Sequence, residues 1–358
     1  MFCCIKCFSD PGLQKRIESI STKQGNCNFC ESKDVTVVNC TDLNTAFEQL
    51  FDMYTFNPDA VKSLGHNTPV LLHEHMIEYW PNLFDTNRLS SNSIMQLLNQ
   101  IGRGWVNYSD EFFETTMEFG TLLDSPAGGG EDLQLQWDMF SEEIKNRNRF
   151  FIGDKIDTDR LESVFGRLVI DYSPGTPFFR ARISDQLLAT HELGKPPKDQ
   201  TSSGRANPVG IPYLYISDSK ETTLYETRVA LHEGITVGRF VTTETINVIS
   251  LKNIADHGPF EILDRGFDLE EFILVRPYLM RLEQELSRPV RKMDVNLDYL
   301  PTQYLCEFIK SLGFDGVEYK SAMNSNGYNL AIFNDRKLQC LDSVFHRVTN
   351  LTYDWEPK

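Results

Sequence analysis

The sequence predicts an α+β protein, and three changes of pattern along the chain support this prediction. Five of the eight cysteines lie within the first thirty residues. From Thr41 to about Gly166, apolar residues recur with the spacing of amphipathic helices. After Tyr172 the chain changes to short β-rich runs such as PFFRARI. We expect three parts, a cysteine-based module, an α-helical domain and a mixed domain, over residues 1–40, 41–165 and 166–358.

The composition is that of an ordinary globular protein. Apolar residues make up 41% of the chain and charged residues 24%, and both fractions are usual for soluble domains. No run approaches the roughly 20 apolar residues that cross a bilayer. The first thirty residues also lack the apolar segment of a signal peptide. We therefore expect a cytoplasmic protein that does not associate with a membrane.

The net charge restricts the classes of partner. The formal charge is -16 at pH 7, and the chain contains no run of five or more basic residues. Such a surface repels a phosphate backbone, so nucleic acid is not an expected partner. A small phosphorylated ligand in a local arginine pocket remains compatible with the acidic surface, because physiological salt screens charges over about 8 Å.

The cysteines near the amino terminus have the spacing of a zinc site. Cys4-x-x-Cys7 and Cys27-x-x-Cys30 are separated by nineteen residues, which allows four thiolates to converge tetrahedrally on one ion. So short a segment buries too little apolar surface to fold alone, so the zinc would be structural. Two alternatives remain open, a redox-active cysteine pair and a ligand set in which Cys3 replaces Cys4.

The mixed domain contains a long loop that bears on function. Residues 193–210, LGKPPKDQTSSGRANPVG, are dense in Pro, Gly and Ser, and loops of this length are often functional. A helix is expected over 219–233, and another ends at Gly313. The runs GVEY and YNLAIF bracket the turn Asn324 to Gly327, which predicts a β-hairpin.

Three arginines are candidates for binding an anion. Arg180 and Arg182 alternate with apolar residues, so on a strand they share one face. That face either meets an anion or is simply solvated. Arg205 lies in the long loop just before a strand, where its guanidinium and backbone amides can hold a pyrophosphate together. A plain surface arginine is the other interpretation of Arg205.

Three further polar residues stand at the ends of predicted elements. Tyr215 ends the strand IPYLY and Glu226 lies on the helix that follows, so both can line one cleft at the strand–helix junction. An ordinary solvated glutamate is the alternative for Glu226. Ser321 stands at the start of the hairpin turn, where serine is also common for turn chemistry alone.

The order and setting of these residues resemble the RES domain family, which is named for its arginine, glutamate and serine. The resemblance runs from about residue 165 to 345, through FFRARI, then GRANPVGIPYLYISDSKETTLYETR, then TQYLCEFIKSLGFDGVEYKSAMNSNGYNLAIF. The amino-terminal segments CIKCFSDPGLQKRIES and GNCNFC resemble the zinc-knuckle and helical region, described as HEPN-like, that precedes the RES domain in longer members. Together the two resemblances cover almost the whole chain.

The resemblance implies a fold and an activity. RES domains resemble ADP-ribosyltransferases, so the mixed domain is expected to carry a split β-sheet. Characterised members degrade NAD⁺, some by hydrolysis and some by phosphorolysis. Several are toxins that deplete cellular NAD⁺ and are paired with an antitoxin. The implied ligands and partners are therefore NAD⁺, phosphate, and an antitoxin or an activating protein.

The family residues carry over to positions of this sequence. The arginines correspond to Arg180 and Arg205, the tyrosine to Tyr215, the glutamate to Glu226 and the serine to Ser321. The resemblance thus implies that the arginines hold the pyrophosphate of NAD⁺. It also implies that the Glu226 carboxylate stabilises the positive charge that develops on the ribose as nicotinamide leaves. Tyr215 would stack on nicotinamide or bind the ribose, and Ser321 would bind ribose or phosphate oxygens. The resemblance does not decide whether Arg182 takes part.

The helical region departs from one family pattern. HEPN ribonucleases carry an arginine followed by a histidine after four to six residues, and this spacing is absent from the chain. We therefore do not expect RNA cleavage. The helical region is instead a candidate substrate gate, a dimer interface that would make the protein a homo-oligomer, or a sensor for an activating partner.

Two other functions remain open at this point. The protein could keep the nucleotide site but transfer ADP-ribose to a macromolecule. It could also be non-catalytic, with the mixed domain sensing NAD⁺ while the helical and zinc parts bind a partner. Release of free nicotinamide separates the first hypothesis from the sensor, and label on an acceptor identifies the transferase.

Overall fold

A computed structural model describes residues 1–21, 23–56, 70–104, 110–114, 116–119, 130–153, 156–288 and 295–350. Within it the chain forms two compact units. The first consists of residues 1–132 and 254–277, and the second of residues 133–253 and 278–358. Parts of the predicted helical domain lie outside the described residues, and the three-part division of the sequence stays a prediction.

Short strands and helices alternate in the first 119 residues. In chain order they are β1 (Phe2–Cys4), α1 (Pro11–Ile20), β2 (Lys23–Gly25), β3 (Val35–Asn39), α2 (Asn44–Asp52), β4 (Tyr54–Phe56), β5 (Val70–Leu71), α3 (Leu72–Tyr79), α4 (Ser91–Gly102), α5 (Asp110–Glu114) and β6 (Thr116–Phe119). Two three-stranded sheets result, with orders β1-β3-β2 and β4-β6-β5. The second of these sheets lies in the region for which only helices were expected.

The rest of the chain is richer in long strands. Its elements are α6 (Gly130–Asn146), α7 (Thr158–Arg167), β7 (Val169–Tyr172), β8 (Pro177–Ile183), β9 (Leu214–Ser217), α8 (Lys220–Thr227), β10 (Gly234–Thr242), β11 (Ile246–Leu251), α9 (Pro259–Asp264), α10 (Leu269–Ser287), α11 (Val295–Asp298), α12 (Leu300–Ser311), β12 (Gly316–Lys320), β13 (Tyr328–Ile332) and β14 (Leu338–Arg347). No helix of the described residues is long and apolar enough to span a bilayer.

Asp10 explains why a segment distant in sequence belongs to the first unit. Its carboxylate caps α1 by accepting hydrogen bonds from Gly12 N at 2.8 Å and Leu13 N at 3.1 Å. The other carboxylate oxygen accepts a bond of 2.9 Å from Phe260 N, at the start of α9. Because Asp10 is fully buried, these backbone donors replace the water that it loses. One side chain thus joins two helix termini.

The second unit is built on an eight-stranded mixed sheet. Its order is β14-β10-β8-β9-β13-β12-β11-β7. Strands β11 and β12 are parallel, and the other neighbours are antiparallel. Strands β8 and β9 are joined at a single position, Phe179 with Ser217, so the sheet is split there. The predicted α+β class with a split sheet is confirmed.

The two faces of the sheet differ in character. Leu214 and Ile216 of β9 pack in an apolar core with Phe178 and Leu330. Because side chains alternate along a strand, Tyr215 and Ser217 point to the opposite face. The split and this polar face together leave space for a cavity.

Several sequence predictions for the second unit are matched closely, and one of them is wrong. The predicted runs PFFRARI and INVISL coincide with β8 and β11, and β12 pairs with β13 as the predicted hairpin. The helix predicted over 219–233 ends at Thr227 instead. Arg228 adopts a left-handed conformation with φ of 49°, which ends the helix.

Candidate functional site

One cavity of the second unit gathers the residues that the sequence analysis singled out. Its volume is about 280 Å³, and it is lined by Arg180, Arg205, Tyr215 and Glu226 together with polar residues of β9, α8, β12 and β13. Ser321 joins this set by contacting Glu226 directly. We call this space the carboxylate cavity. All five residues carried over from the family therefore meet in one place.

A short helix places Glu226 at the cavity. Helix α8 begins directly after β9, where the Ser219 side chain accepts a hydrogen bond of 3.1 Å from Thr222 N and caps the helix. The left-handed Arg228 ends α8 soon after Glu226. Glu226 therefore lies in the last turn of α8. The Ser219 cap fixes the start of this helix, and the left-handed Arg228 fixes its end.

Two neutral donors hold the Glu226 carboxylate at one oxygen. Ser321 Oγ donates to Glu226 Oε1 at 2.6 Å, and Asn329 Nδ2 donates to the same oxygen at 2.7 Å. Ser217 Oγ donates to Asn329 Oδ1 at 2.7 Å, which fixes the orientation of that amide. Among the described residues, Oε2 of Glu226 accepts no hydrogen bond. The protein thus orients the carboxylate and leaves one oxygen available to a ligand.

The Ser321 hydroxyl is fully engaged within the protein. Besides donating to Glu226, its Oγ accepts hydrogen bonds from Met323 N and Asn324 N, both at 3.1 Å. The Ser321 backbone N–H donates to Gly327 O at 2.9 Å and closes the hairpin turn. Ser321 is buried. In this arrangement the hairpin turn fixes the Ser321 hydroxyl, and this hydroxyl positions the Glu226 carboxylate.

Arg180 brings a charged group to the split between β8 and β9. One guanidinium nitrogen donates to Tyr215 O at 3.3 Å. Burial, and after it the nearby charge of Arg182, lowers the pKa of Arg180 to about 10. The guanidinium therefore keeps its positive charge at neutral pH. A charge in this setting is stabilised by an anion in the cavity.

The loop that carries Arg205 is pinned from helix α12. Gln303 Nε2 lies within hydrogen-bond distance of three oxygens, Ser203 Oγ at 2.9 Å, Gly204 O at 2.8 Å and Asn207 O at 3.0 Å. Thr302 Oγ1 donates to Arg205 O at 2.7 Å. The Arg205 guanidinium itself donates to Leu286 O. These bonds give a loop without regular structure a defined position.

Tyr215 fastens the same loop from the sheet side. Its hydroxyl donates to Asn207 Oδ1 at 2.7 Å and accepts a hydrogen bond of 3.2 Å from Ala206 N. Burial raises the pKa of Tyr215 well above its ordinary value. Gly204 must lack a side chain here, because a Cβ atom would lie 2.3 Å from Asn207 Oδ1 and 2.7 Å from the Tyr215 hydroxyl.

Arg180, Arg182 and Arg205 share a feature that points to an anionic ligand. Each donates to a backbone carbonyl, those of Tyr215, Gly194 and Leu286 respectively. Within the described ranges none of the three forms an ion pair with a carboxylate. In a protein of net charge -16, three such guanidiniums on adjoining walls form a local positive site.

The sequence analysis missed three residues of this site. Asn329 and Ser217 are buried polar residues on strands, and Gln303 is a buried polar residue on a helix. The signal for Asn329 was an asparagine inside the apolar run YNLAIF, since a buried polar group requires a partner. Gln303 gave no comparable signal, because a glutamine is ordinary in an amphipathic helix.

The four predicted zinc ligands lie together in the first unit. The Sγ atoms of Cys4, Cys7, Cys27 and Cys30 all lie within 4.8 Å of one another. Two of the separations are 3.5 Å for Cys4 and Cys30, and 3.4 Å for Cys7 and Cys27. Four thiolates around one zinc ion at about 2.3 Å would be about 3.8 Å apart. The cluster therefore has the dimensions of a tetrahedral site.

The backbone around the cluster also fits a metal thiolate. Phe29 N and Cys30 N lie 3.4 and 3.5 Å from Cys27 Sγ and donate to it. Hydrogen bonding with Cys4 and Cys7 lowers the pKa of Cys27, so its thiolate is favoured. Cys3 is not a member of the group, because side chains alternate along β1 and Cys3 lies against Cys40. The residues present fit a structural zinc ion.

The fold and the site define a class of protein. A split α+β sheet with arginines opposite one oriented carboxylate is suited to binding a small anionic molecule. Comparison with known families matches residues 177–356 to the family described as RES domain. Because this match spans half of the chain, the protein belongs to the RES domain family. The resemblance inferred from the sequence is thereby confirmed, whereas the HEPN-like character of the preceding region stays a prediction.

The chain also has a similarity to a solved structure. This is the crystal structure of the M. tuberculosis MbcT-MbcA toxin-antitoxin complex, with 16% sequence identity and a TM-score of 0.33. The match covers 53% of this chain and 91% of that chain. No curated protein matches the sequence.

Proposed function

We propose that the protein consumes NAD⁺ by breaking the bond between nicotinamide and ribose. The observation that carries this proposal is the convergence of Arg180, Arg205, Tyr215 and Glu226 around one cavity, with Ser321 bonded to the glutamate. Membership of the RES domain family supports the same activity. Glu226 is the proposed catalytic carboxylate, and Arg180 is the arginine proposed to act with it in catalysis.

The chemistry requires a carboxylate in this position. As the bond breaks, its electron pair passes to the ring nitrogen of nicotinamide, which leaves as a neutral molecule. The ribose carbon then carries positive charge shared with the ring oxygen. The free oxygen of Glu226 stabilises that charge, which is largest in the transition state. An oxygen of water or phosphate then bonds to the same carbon and a proton is released to solvent, giving ADP-ribose or ADP-ribose-1″-phosphate.

The arginines orient the substrate in the cavity. Guanidinium groups bind phosphate oxygens through two parallel hydrogen bonds, so Arg180 and Arg205 hold the pyrophosphate and fix the sugar beside Glu226. The Tyr215 ring lines the cavity while its hydroxyl holds the Arg205 loop. Ser321 acts through Glu226 because its hydroxyl is already engaged with the carboxylate. Cys4, Cys7, Cys27 and Cys30 hold a structural zinc ion.

In the cell the proposed reaction would deplete NAD⁺ and arrest growth, as in toxin members of the family. An antitoxin or an activating protein would control it. Expression of the wild-type chain is expected to lower cellular NAD⁺, and the Glu226→Ala chain is expected to leave it unchanged. Equal NAD⁺ in the two strains would contradict depletion.

The activity is tested with purified protein. NAD⁺ is incubated with and without phosphate, and nicotinamide, ADP-ribose and ADP-ribose-1″-phosphate are measured. Free nicotinamide is the expected product in both cases, and the second product distinguishes hydrolysis from phosphorolysis. Adenine-labelled NAD⁺ reveals transfer, because the label then appears on a macromolecule. Tight binding of NAD⁺ without release of nicotinamide would contradict the proposal.

A matched pair of variants tests the carboxylate. Glu226→Ala is expected to abolish turnover without unfolding the protein. Glu221→Ala removes an exposed glutamate from the same helix and is expected to retain the activity. If the Glu226 variant stays active, the carboxylate is assigned to the wrong residue.

A further inference from the structure

A second cavity adjoins the carboxylate cavity. Its volume is about 420 Å³, and Arg182, Pro196, Pro197 and Tyr213 contribute to its lining. The two cavities share Arg180 and Tyr215 in their walls. We call the second space the Arg182 cavity. The Arg182 cavity lies within the range of about 300–1,000 Å³ that ligand pockets occupy, and the carboxylate cavity lies just below it.

Among the described residues, the charge in the Arg182 cavity has no carboxylate as a counterion. Arg180 and Arg182 lie two residues apart on β8, so both guanidiniums face the same side of the strand. Arg182 donates to Gly194 O at 2.9 Å, and in the part of the chain that the structure describes it pairs with no carboxylate. Two neighbouring like charges repel each other unless an anion lies between them. The cavity is therefore built for an anionic group.

Part of the wall of the Arg182 cavity is apolar, and polar residues of the long loop form another part. Pro196, Pro197 and the Tyr213 ring present apolar surface beside the arginines. An apolar surface of this kind can pack against the ring of a nucleotide base.

We propose that the Arg182 cavity binds the adenylate half of the dinucleotide and that Arg182 holds the phosphate nearest the adenosine. This inference rests on the proposed function. Nicotinamide and its ribose then occupy the carboxylate cavity, and Arg180 in the shared wall holds the second phosphate together with Arg205. Arg182 thereby selects a dinucleotide over nicotinamide mononucleotide, which has no adenylate half.

Kinetics with two substrates test this assignment. Release of nicotinamide is measured from NAD⁺ and from nicotinamide mononucleotide, with the wild-type chain and with Arg182→Gln. The variant is expected to lower kcat/KM for NAD⁺ about tenfold or more, because it loses a charge-assisted hydrogen bond to phosphate. Its kcat/KM for the mononucleotide is expected to stay within about twofold of wild type. Equal losses for both substrates would overturn the assignment, since a general structural effect produces that result.

A matched control separates a local effect from a change in overall charge. Arg239→Gln removes an arginine from the neighbouring strand β10, where it forms an exposed ion pair with Asp342 at 2.8 Å. It is expected to leave both substrates unaffected. If Arg239→Gln lowers kcat/KM for NAD⁺ as much as Arg182→Gln does, Arg182 has no specific role.

A binding measurement keeps this inference separate from the proposed function. Calorimetry with ADP-ribose is expected to show binding to the wild-type chain and binding about tenfold weaker to Arg182→Gln. That result without release of nicotinamide from NAD⁺ would refute the catalytic proposal and support the adenylate site. Release of nicotinamide, with equal affinity of the wild-type and Arg182→Gln chains for ADP-ribose, would support the catalytic proposal and refute the adenylate site. Absence of ADP-ribose binding to the wild-type chain would overturn the adenylate site.

Discussion

Ser321 Oγ donates a hydrogen bond of 2.6 Å to Oε1 of Glu226, a residue 95 positions earlier in the chain. The hydroxyl in turn accepts two backbone N–H groups of the hairpin turn, so its own position is fixed. Asn329 donates to the same carboxylate oxygen and is itself held by Ser217. This network sets which oxygen of Glu226 faces a substrate, and orientation of this kind is expected to affect the rate more than the binding.

Removal of the Ser321 hydroxyl tests this effect. Ser321→Ala is expected to lower kcat for nicotinamide release between about 10- and 100-fold with little change in KM, because Glu226 loses a positioning donor while the arginines are unchanged. Steady-state kinetics with NAD⁺ give both constants. Ser325→Ala, an exposed serine of the same turn, is the control and should behave as wild type. A rise in KM at constant kcat would show that Ser321 binds substrate instead.

Loss of the Gln303 amide is expected to weaken substrate binding. In Gln303→Leu, the Arg205 loop loses the two N–H donors of Nε2, which lie within hydrogen-bond distance of three loop oxygens. We expect KM for NAD⁺ to rise about tenfold with a smaller change in kcat, since Arg205 is proposed to bind the substrate both before and during the reaction. Glu307→Gln changes an exposed residue one turn further along α12 and should leave both constants unchanged. An unaltered KM in Gln303→Leu would show that the loop is held without this residue.

The cysteine cluster predicts a metal content. Purified protein is expected to contain about one zinc ion per chain, and Cys27→Ser is expected to contain almost none and to melt at a lower temperature. Mass spectrometry of the metal and thermal denaturation measure the two effects. Cys340→Ser, which changes a cysteine outside the cluster, should keep the metal. A zinc-free wild-type protein with an unchanged melting temperature after treatment with a chelator would refute the site.

A histidine of the first unit predicts loss of stability in mild acid. Burial lowers the pKa of His75 to about 4, from an ordinary value of about 6.5. The neutral ring contacts the Tyr54 hydroxyl at 2.9 Å and stacks on Tyr79. Because the unfolded chain binds the proton more readily, the stabilisation is complete above about pH 6.5 and declines as the pH falls toward 4.

The decline amounts to at most about 1.4 kcal/mol for each pH unit. Urea unfolding of the wild-type chain at several pH values between 4 and 7.5 measures it. His75→Gln should flatten the pH dependence, whereas His191→Gln, which replaces an exposed histidine, should retain it. The same slope in all three chains would show that other groups cause the acid sensitivity.

Local sequence patterns were sufficient for several strands of the large sheet and for the cysteine cluster. Alternation in PFFRARI predicted β8 and placed Arg180 and Arg182 on one face, because side-chain direction in a strand repeats every two residues. Two CxxC pairs predicted a group of thiols, because four such ligands in a short segment have few other uses. The end of α8 at Thr227 was not predicted, since the sequence around Arg228 contains no glycine to mark a left-handed residue.

The amino-acid sequence by itself determined the class of fold, the family and the chemical types of the site residues. Tertiary structure alone decided that Ser321 and Asn329 meet at one oxygen of Glu226, that Gln303 holds the Arg205 loop, and that Arg180 separates two cavities. The physical reason is the range of the interactions involved. Periodicity and turn chemistry are encoded by neighbours along the chain, whereas these contacts depend on the order of the strands and on where the sheet splits.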